Sequence, residues 1–150
     1  MQTRIEINAP AERVRTVLYN FAEYPKWNPY IVNVDGVVAE GNQVYLTVKP
    51  AGKSEVTGSA KITLMTKDHL SWDGVGMSQV ESGPVTLAIP GVLNAKHDFT
   101  IEESGPNRTV FLNNVKWSGA AIPLLDMKPL AAGLDAMNIA LKARAEEIVK

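Results

Sequence analysis

The chain has 150 residues, of which 45% are hydrophobic and 21% charged, and its formal net charge is −1. This composition predicts one globular domain over residues 1–150, and the charge argues against a protein that holds nucleic acid through its phosphates. The sequence contains no cysteine and two histidines, His69 and His97, which excludes disulfide scaffolds, cysteine nucleophiles and multi-histidine metal sites.

No segment of the sequence predicts targeting or membrane insertion. The first residues alternate polar and apolar side chains and contain no apolar core of a signal peptide. The longest apolar run, residues 120–125, is far too short to cross a bilayer. We therefore expect a cytoplasmic location.

The N-terminal part predicts a strand followed by two short helices. Residues 3–8 alternate, with Ile5 and Ile7 on one face. Pro10, followed by an acidic residue, is typical of a helix start, and apolar residues then recur at helical spacing. A second segment, residues 24–30, contains two prolines that allow at most one or two helical turns.

From Ile31 onward the apolar period changes from 3.6 to about 2, which predicts antiparallel strands. In the strand at residues 55–66, Ile62 and Leu64 are expected on one face. Between residues 76 and 90 the pattern predicts no clear element. The predicted strands cover residues 31–39, 43–49, 55–66, 70–73 onward, 93–103 and 109–117.

The last thirty residues return to the helical period and predict one long helix. Pro129 either kinks this helix or marks its start. The apolar stripe comprises Leu130, Leu134, Met137, Leu141 and Ile148. Polar residues expected off the stripe are Asp135, Asn138, Lys142, Arg144 and Glu146.

Several short motifs, read together with this order of elements, resemble one superfamily. The motifs are Ile-Asn-Ala-Pro-Ala-Glu-Arg-Val at 7–14, Phe-Ala-Glu-Tyr-Pro-Lys-Trp-Asn-Pro at 21–29, His-Asp-Phe at 97–99, Trp-Ser-Gly at 117–119 and Gly-Leu-Asp-Ala-Met-Asn-Ile-Ala-Leu-Lys at 133–142. The chain resembles the START-like (SRPBCC) superfamily, with the helix-grip fold of the birch-pollen allergen. Its closest likeness is to the polyketide cyclase/dehydrase-like branch.

The resemblance implies an α+β helix-grip fold. In that fold a curved antiparallel sheet of about seven strands wraps around a long C-terminal helix, with two short helices after strand 1. Such a sheet has more concave surface than side chains can fill, so an apolar pocket is expected inside. Its opening is expected near Trp27 or the segment 76–90, which is longer than the usual connection and suggests an enlarged lid or a longer strand pair.

His97 and Asn113 are the candidates for chemistry. His97 lies between Ala95 and Phe99 on an apolar strand face, where it either shuttles a proton or is a buried histidine with a structural hydrogen bond. Asn113 is either a hydrogen-bonding partner of the ligand or a satisfied core amide. The superfamily often carries ionisable groups on this inward face, and their replacement by Asn113 and Val115 argues against acid–base catalysis from that strand.

The candidate ligand-binding residues are mostly aromatic, and each is also a plausible core residue. Tyr45, by contrast, is expected to face outward. The candidates for ligand binding are Tyr24, Trp27, Tyr30, Trp72, Phe99, Phe111, Trp117, Leu134 and Met137.

Three classes of function remain open on the sequence. The first is binding of a small hydrophobic molecule in an internal cavity. The second is a polyketide cyclase/dehydrase or lyase-type enzyme acting on a polyketide-like or aromatic substrate, with catalysis by positioning. The third is an interaction module with an exposed apolar patch. The expected partner is a small hydrophobic ligand or substrate, without nucleic acid, metal or cofactor, and the oligomeric state (monomer or homodimer) stays open.

Overall fold

The computed structural model describes residues 1–75, 78–79, 86–87, 94–119 and 126–147. Within these residues, nine strands form a seven-stranded antiparallel sheet, in the order β1-β9-β8-β5-β4-β3-β2, and a separate pair, β6-β7. The strands are β1 (Gln2–Ile7), β2 (Ile31–Asp35), β3 (Gln43–Val48), β4 (Val56–Met65), β5 (His69–Val75), β6 (Ser78–Gln79), β7 (Thr86–Leu87), β8 (Asn94–Gly105) and β9 (Arg108–Ser118).

The helices lie where the sequence predicts them. Helix α1 (Ala11–Leu18) follows β1, and a short 3-10 turn (Phe21–Glu23) leads into α2 (Tyr24–Trp27). The long helix α3 (Met127–Glu147) packs on β1 and α1. This arrangement confirms the predicted α+β architecture of a curved seven-stranded sheet, two early short helices and a long C-terminal helix. Within the described residues, no helix is long and apolar enough to span a membrane.

Pro129 lies in the first turn of α3, so it marks the helix start rather than a kink. A proline is tolerated there because the first N–H groups of a helix have no partner inside the helix. The N–H of Lys128 is instead satisfied by the Asp126 carboxylate at 3.1 Å.

Alternation along the central strands separates an inward apolar face from an outward polar one. On β9, Phe111, Asn113 and Val115 are buried, whereas Lys116 is exposed. Tyr45 on β3 is 53% exposed, which confirms its outward orientation. The core therefore lies on the concave side of the sheet, under α3.

The expectation that Ile62 and Leu64 share a face is wrong. The register of β4 against β5 shifts between these two residues, so that Met65, and not Leu64, pairs with the inward-facing Leu70. A bulge inserts one extra residue and reverses the alternation beyond it. Met65 accordingly packs against the core.

The placement of Asn138 off the apolar stripe of α3 is also wrong. The residues predicted on the stripe, from Leu130 to Leu141, are buried, but Asn138 is buried with them and only 3% exposed. Its amide is accommodated because it is hydrogen-bonded on both sides. Ile148 lies outside the described residues.

The segment 76–90, expected to be a lid or a longer strand pair, contains the antiparallel pair β6-β7. Ser78 pairs with Leu87, and Gln79 pairs with Thr86. The remainder of this segment lies outside the described residues.

Candidate functional site

One inward row of residues crosses five strands and consists largely of small side chains. Strand register places Ala60 of β4 beside Gly74 of β5, and Gly74 beside Ala95 of β8. We call these three positions the small-residue row. Val44 of β3 and Trp117 of β9 flank it at its two ends. The centre of the concave face therefore carries almost no side-chain volume.

The surroundings of Gly74 show that this volume is not replaced from elsewhere. A Cβ atom added at Gly74 would meet the carbonyl oxygens of Ala95 at 3.5 Å and Ser59 at 3.7 Å. In the described part of the chain, no side-chain atom other than those of its chain neighbours comes within 4 Å of that position. The inner surface of the sheet thus leaves room at Gly74.

A buried glycine, Gly133 of α3, has the opposite environment to the partly exposed Gly74. A Cβ atom there would lie 2.3 Å from Cδ1 and 2.8 Å from Cε1 of Tyr30. The helix backbone therefore presses directly on the Tyr30 ring. Tyr30 is thus packed directly against α3, whereas no side chain of the described residues outside the chain neighbours lies within 4 Å of a Cβ built at Gly74.

An aromatic cluster occupies the inward face beside the small-residue row. His97 follows Ala95 on the inward face of β8 and pairs with Trp72 of β5. The His97 ring lies 4.2 Å from the Phe99 ring and 5.3 Å from the Trp72 ring, measured between centroids. Phe99 in turn stacks on Phe111 at 5.9 Å. These rings supply an apolar wall with one imidazole in it.

The imidazole is part of a buried polar chain. His97 Nε2 lies 2.5 Å from Asn113 Oδ1, and Asn113 Nδ2 donates to Asn138 Oδ1 at 2.9 Å. Asn138 Nδ2 donates to Thr3 Oγ1 at 2.9 Å, and the Thr3 hydroxyl donates to the main-chain carbonyl of Asn113 at 2.5 Å. Asn113 Nδ2 also lies 3.6 Å from the Met137 sulfur. This chain of hydrogen bonds joins β8, β9, α3 and β1.

The fully buried polar residues are uncharged, although the partly buried Arg13 has one guanidinium nitrogen, Nη1, that is buried without a partner among the described residues. The buried polar residues of the described chain are Asn28, Ser71, His97, Thr109, Asn113 and Asn138, none of which carries a formal charge at neutral pH. Burial lowers the pKa of His97 from its ordinary 6.5 to about 4, and the bond to Asn113 opposes this only in part. His97 is therefore an uncharged imidazole at neutral pH, and the site offers shape and neutral hydrogen bonds.

The two candidate tyrosines differ in how their hydroxyls are used. The Tyr24 hydroxyl donates to the Leu18 carbonyl at 2.6 Å, so it supports the helical segment rather than facing a ligand. The Tyr30 hydroxyl has no hydrogen-bonding partner among the described residues, and its ring is 2% exposed. Burial raises the pKa of both groups, which keeps them protonated.

The segment around Trp27 is fixed by an asparagine. Asn28 Oδ1 accepts from the N–H groups of Tyr30 at 3.0 Å and Ile31 at 2.9 Å, which turns the chain from α2 into β2. Trp27 packs edge-on against Tyr24, with ring centroids 5.1 Å apart. Trp27 Nε1 and Asn28 Nδ2 are buried and have no partner in the described part of the chain.

The remaining candidates all face inward, and they fall into two groups. Phe99, Phe111, Leu134 and Met137 are fully buried and form the floor of the core. Trp117 is only partly buried and lies at the open row, with its buried Nε1 unpaired among the described residues.

Two residues of the polar chain, Thr3 and Asn138, were not among the sequence candidates. Thr3 lies on a strand whose alternation placed it on the same face as Ile5, so its inward position was available from the pattern. Asn138 adjoins Met137 and follows Leu134 by one helical turn, which is the only sequence signal for its burial. Nothing local indicated that the two side chains would meet.

No group of three or more histidine, cysteine or acidic side chains in the described part of the chain is arranged to hold a metal ion.

The sequence matches, over residues 1–149, the family described as polyketide cyclase/dehydrase and lipid transport, and the chain belongs to that family. This confirms the resemblance to the START-like superfamily. The description joins enzymes that act on polyketides with proteins that transport lipids, so members of the family handle small hydrophobic molecules. A search of curated proteins gives no match to this sequence.

Solved structures with the same fold include enzymes and a protein described only by its superfamily. A START superfamily protein from Mycobacterium smegmatis is 19% identical, with a TM-score of 0.66 and coverage of 99% of this chain and 97% of the other. The Zhui aromatase/cyclase from Streptomyces sp. R1128 is 18% identical, with a TM-score of 0.65 and coverage of 100% and 94%. Norcoclaurine synthase from Thalictrum flavum is 14% identical, with a TM-score of 0.66 and coverage of 100% and 95%.

Proposed function

We propose that this protein binds a small, uncharged, hydrophobic molecule on the concave face of the sheet, at the small-residue row and under α3. Ala60, Gly74 and Ala95 form the seat, and the aromatic rings of Trp72 and Trp117 form its sides. Burial of an apolar ligand there gains about 25 cal/mol for each Å² removed from water.

The observation that carries this proposal is the row of small residues on the concave face, together with the absence of any described side-chain atom, outside the chain neighbours, within 4 Å of a Cβ built at Gly74. A fold that needed only a stable core would fill this row, because unfilled volume costs contact energy. The fully buried polar residues of the described chain carry no formal charge at neutral pH, which supports an uncharged ligand, since none of them would compensate an ionic group.

Equilibrium dialysis with two uncharged aromatic probes, naphthalene and 2-naphthol, tests this function. The variant Ala95→Leu extends a side chain into the small-residue row, and we expect it to weaken binding of both probes at least about tenfold. Ala132→Leu, on an exposed position of α3, is the matched control and is expected to bind like the wild type. The proposal is wrong if the wild type binds neither probe, or if Ala95→Leu binds both as well as the control does.

The second candidate is a cyclase/dehydrase or lyase-type enzyme that uses the same seat. The imidazole of His97 inside an apolar wall favours it, because that group can orient or deprotonate a folded substrate. A pKa of about 4 makes His97 a weak base and excludes it as an acid at neutral pH, so shape would supply most of the rate.

The variants His97→Phe and Asn113→Leu, assayed with a poly-β-ketone chain, separate the two candidates. An enzyme would lose turnover with affinity kept, whereas a binding protein would show no turnover and a change in affinity only. Ala132→Leu again serves as the control for handling and stability.

We also propose that the protein works in the cytoplasm, with which the lack of cysteine is compatible. Both a monomer and a homodimer fit the proposal, because every group of the seat comes from one chain. Cell fractionation and light scattering measure these two properties.

A further inference from the structure

In the polar chain that ends at His97, each hydrogen bond has a fixed donor and a fixed acceptor. A main-chain carbonyl can only accept, so the Thr3 hydroxyl must donate its proton to the carbonyl of Asn113. Thr3 Oγ1 is then the acceptor for Asn138 Nδ2. Because the amide of Asn138 is oriented by this bond, its oxygen faces Asn113 and accepts from Asn113 Nδ2.

The donor and acceptor roles in this polar chain determine, through Asn113, which nitrogen of the imidazole carries the proton. With its nitrogen committed to Asn138, Asn113 presents its Oδ1 to His97 Nε2 at 2.5 Å. That oxygen can only accept, so Nε2 carries the proton of the neutral ring. The backbone carbonyl at the far end of the chain therefore selects the tautomer of His97.

The other ring nitrogen is left as an acceptor. In the Nε2–H tautomer, Nδ1 has a lone pair and no proton, and it points away from the nitrogen that contacts Asn113. Nδ1 has no hydrogen-bonding partner among the described residues, although His97 is only 5% exposed. On the inward face of β8, His97 lies between Ala95, a member of the small-residue row, and Phe99.

We propose that His97 Nδ1 selects ligands that carry a neutral hydrogen-bond donor, such as a phenolic or alcoholic hydroxyl, and that Thr3, Asn138 and Asn113 are positioning residues that hold the required tautomer. This inference rests on the proposed binding function and names the ligand class. A ligand hydroxyl would donate to this acceptor, which makes no hydrogen bond to the described residues. An ether or a bare hydrocarbon of the same size leaves that acceptor unpaired and loses affinity.

A panel of matched probes tests the selection. Dialysis at pH 7 compares 2-naphthol with 2-methoxynaphthalene and naphthalene. We expect the wild type to prefer the hydroxyl compound about tenfold, the factor that a single neutral hydrogen bond in a buried site supplies. His97→Phe keeps an aromatic ring in the cluster and removes the acceptor, so the preference is expected to disappear while naphthalene still binds.

The tautomer is measured independently by ¹⁵N NMR of the histidine rings. We expect a pyrrole-type signal for Nε2 and a pyridine-type signal for Nδ1 of His97, assigned by its loss in His97→Phe against the retained signals of His69. The variant Thr3→Val has nearly the same shape but neither donates to the Asn113 carbonyl nor accepts from Asn138. We expect it to give a mixture of tautomers and a smaller hydroxyl preference, with naphthalene affinity unchanged.

The outcomes distinguish a failure of the proposed binding function from a failure of ligand selection by His97. If the wild type binds none of the three probes, the proposed function fails. If it binds all three equally, or if the NMR signals place the proton on Nδ1, the selection by His97 is overturned while binding stands. A hydroxyl preference that Thr3→Val leaves intact overturns the role of the polar chain. The expected pattern in all three measurements supports the proposal.

Discussion

Two glycines, Gly74 and Gly133, show how single residues determine where the interior is open and where it is closed. The same absence of a Cβ serves opposite purposes at the two positions. At Gly133 it lets the helix backbone touch the Tyr30 ring, whereas a Cβ at Gly74 would make only ordinary contacts with the backbone of the neighbouring strands among the described residues. Substitution by alanine therefore tests whether a side chain can be accommodated at each of the two positions.

We expect Gly133→Ala to lower the free energy of unfolding by about 1–2 kcal/mol, because displacement of the Tyr30 ring exceeds the gain in helix propensity of about 1 kcal/mol. Gly74→Ala is expected to be neutral or to stabilise by about 0.4–1 kcal/mol through the unfolded chain. Urea unfolding measures both. Equal effects of the two substitutions would contradict the difference in packing.

Asn138 gives a second prediction at the same scale. Asn138→Leu keeps the branched shape of the side chain but leaves Asn113 Nδ2 with only the Met137 sulfur as a partner. An unpaired buried donor costs about 1–3 kcal/mol, and we expect a destabilisation of that size in urea unfolding. The control is Ile139→Ala at the next position, which is 63% exposed and is expected to change the stability by less than about 0.5 kcal/mol. A loss no greater than that of the control would contradict the role given to this amide.

At the scale of elements, α3 is held on the sheet by its apolar stripe and fastened at its C-terminal end by Glu146. The Glu146 carboxylate accepts from the N–H of Asn8 at 2.8 Å, and Lys142 Nζ donates to the same oxygen at 2.6 Å. The Lys142 bond is the main cause, and the Asn8 bond the second, of a Glu146 pKa below its ordinary value. The corner between β1 and α1 is thereby joined to the end of α3.

We expect Glu146→Gln to lower the stability at pH 7 by no more than about 1 kcal/mol, because these groups are partly exposed and water screens the pair. A lowered carboxylate pKa stabilises the fold above the ordinary value of 4.5, and this contribution is lost as the pH falls through the folded-state pKa. The difference between wild type and variant should therefore shrink in acid. Denaturant titrations at pH 7 and pH 3 measure it, and a difference that grows in acid would contradict the assignment.

At the scale of the whole molecule, stability is sensitive to protonation of the buried His97 imidazole, because its burial disfavours the charged form. The folded state holds the pKa of His97 near 4, whereas the unfolded chain has the ordinary value of 6.5. Between these two pKa values His97 is protonated in the unfolded chain but not in the folded protein. Stability therefore falls as the pH is lowered from about 6.5 to about 4.

We expect His97→Phe to remove this part of the pH dependence. Unfolding free energies at pH 7 and pH 5 are compared for the two proteins, and the wild type should lose more stability than the variant over that interval. His69, which is common to both, acts as the internal control. Parallel losses in the two proteins would show that His97 is not held neutral by the fold.

The sequence by itself determined the order of the elements, the inward faces of most strands and the apolar stripe of α3. The period at which apolar residues recur is a local property of the sequence, and burial follows this period wherever the strand is regular. It also pointed to His97 and Asn113, since a polar residue on an apolar face is visible without coordinates.

The tertiary structure alone decided how these parts meet. The bulge in β4 turned Met65 inward, and the rotation of α3 brought Asn138 to Thr3, 135 residues away along the chain. Whether the missing Cβ of a glycine is needed for close packing depended on the element opposite, as Gly74 and Gly133 show. Register between strands and the rotation of a helix are set by non-local packing, and no local pattern encodes them.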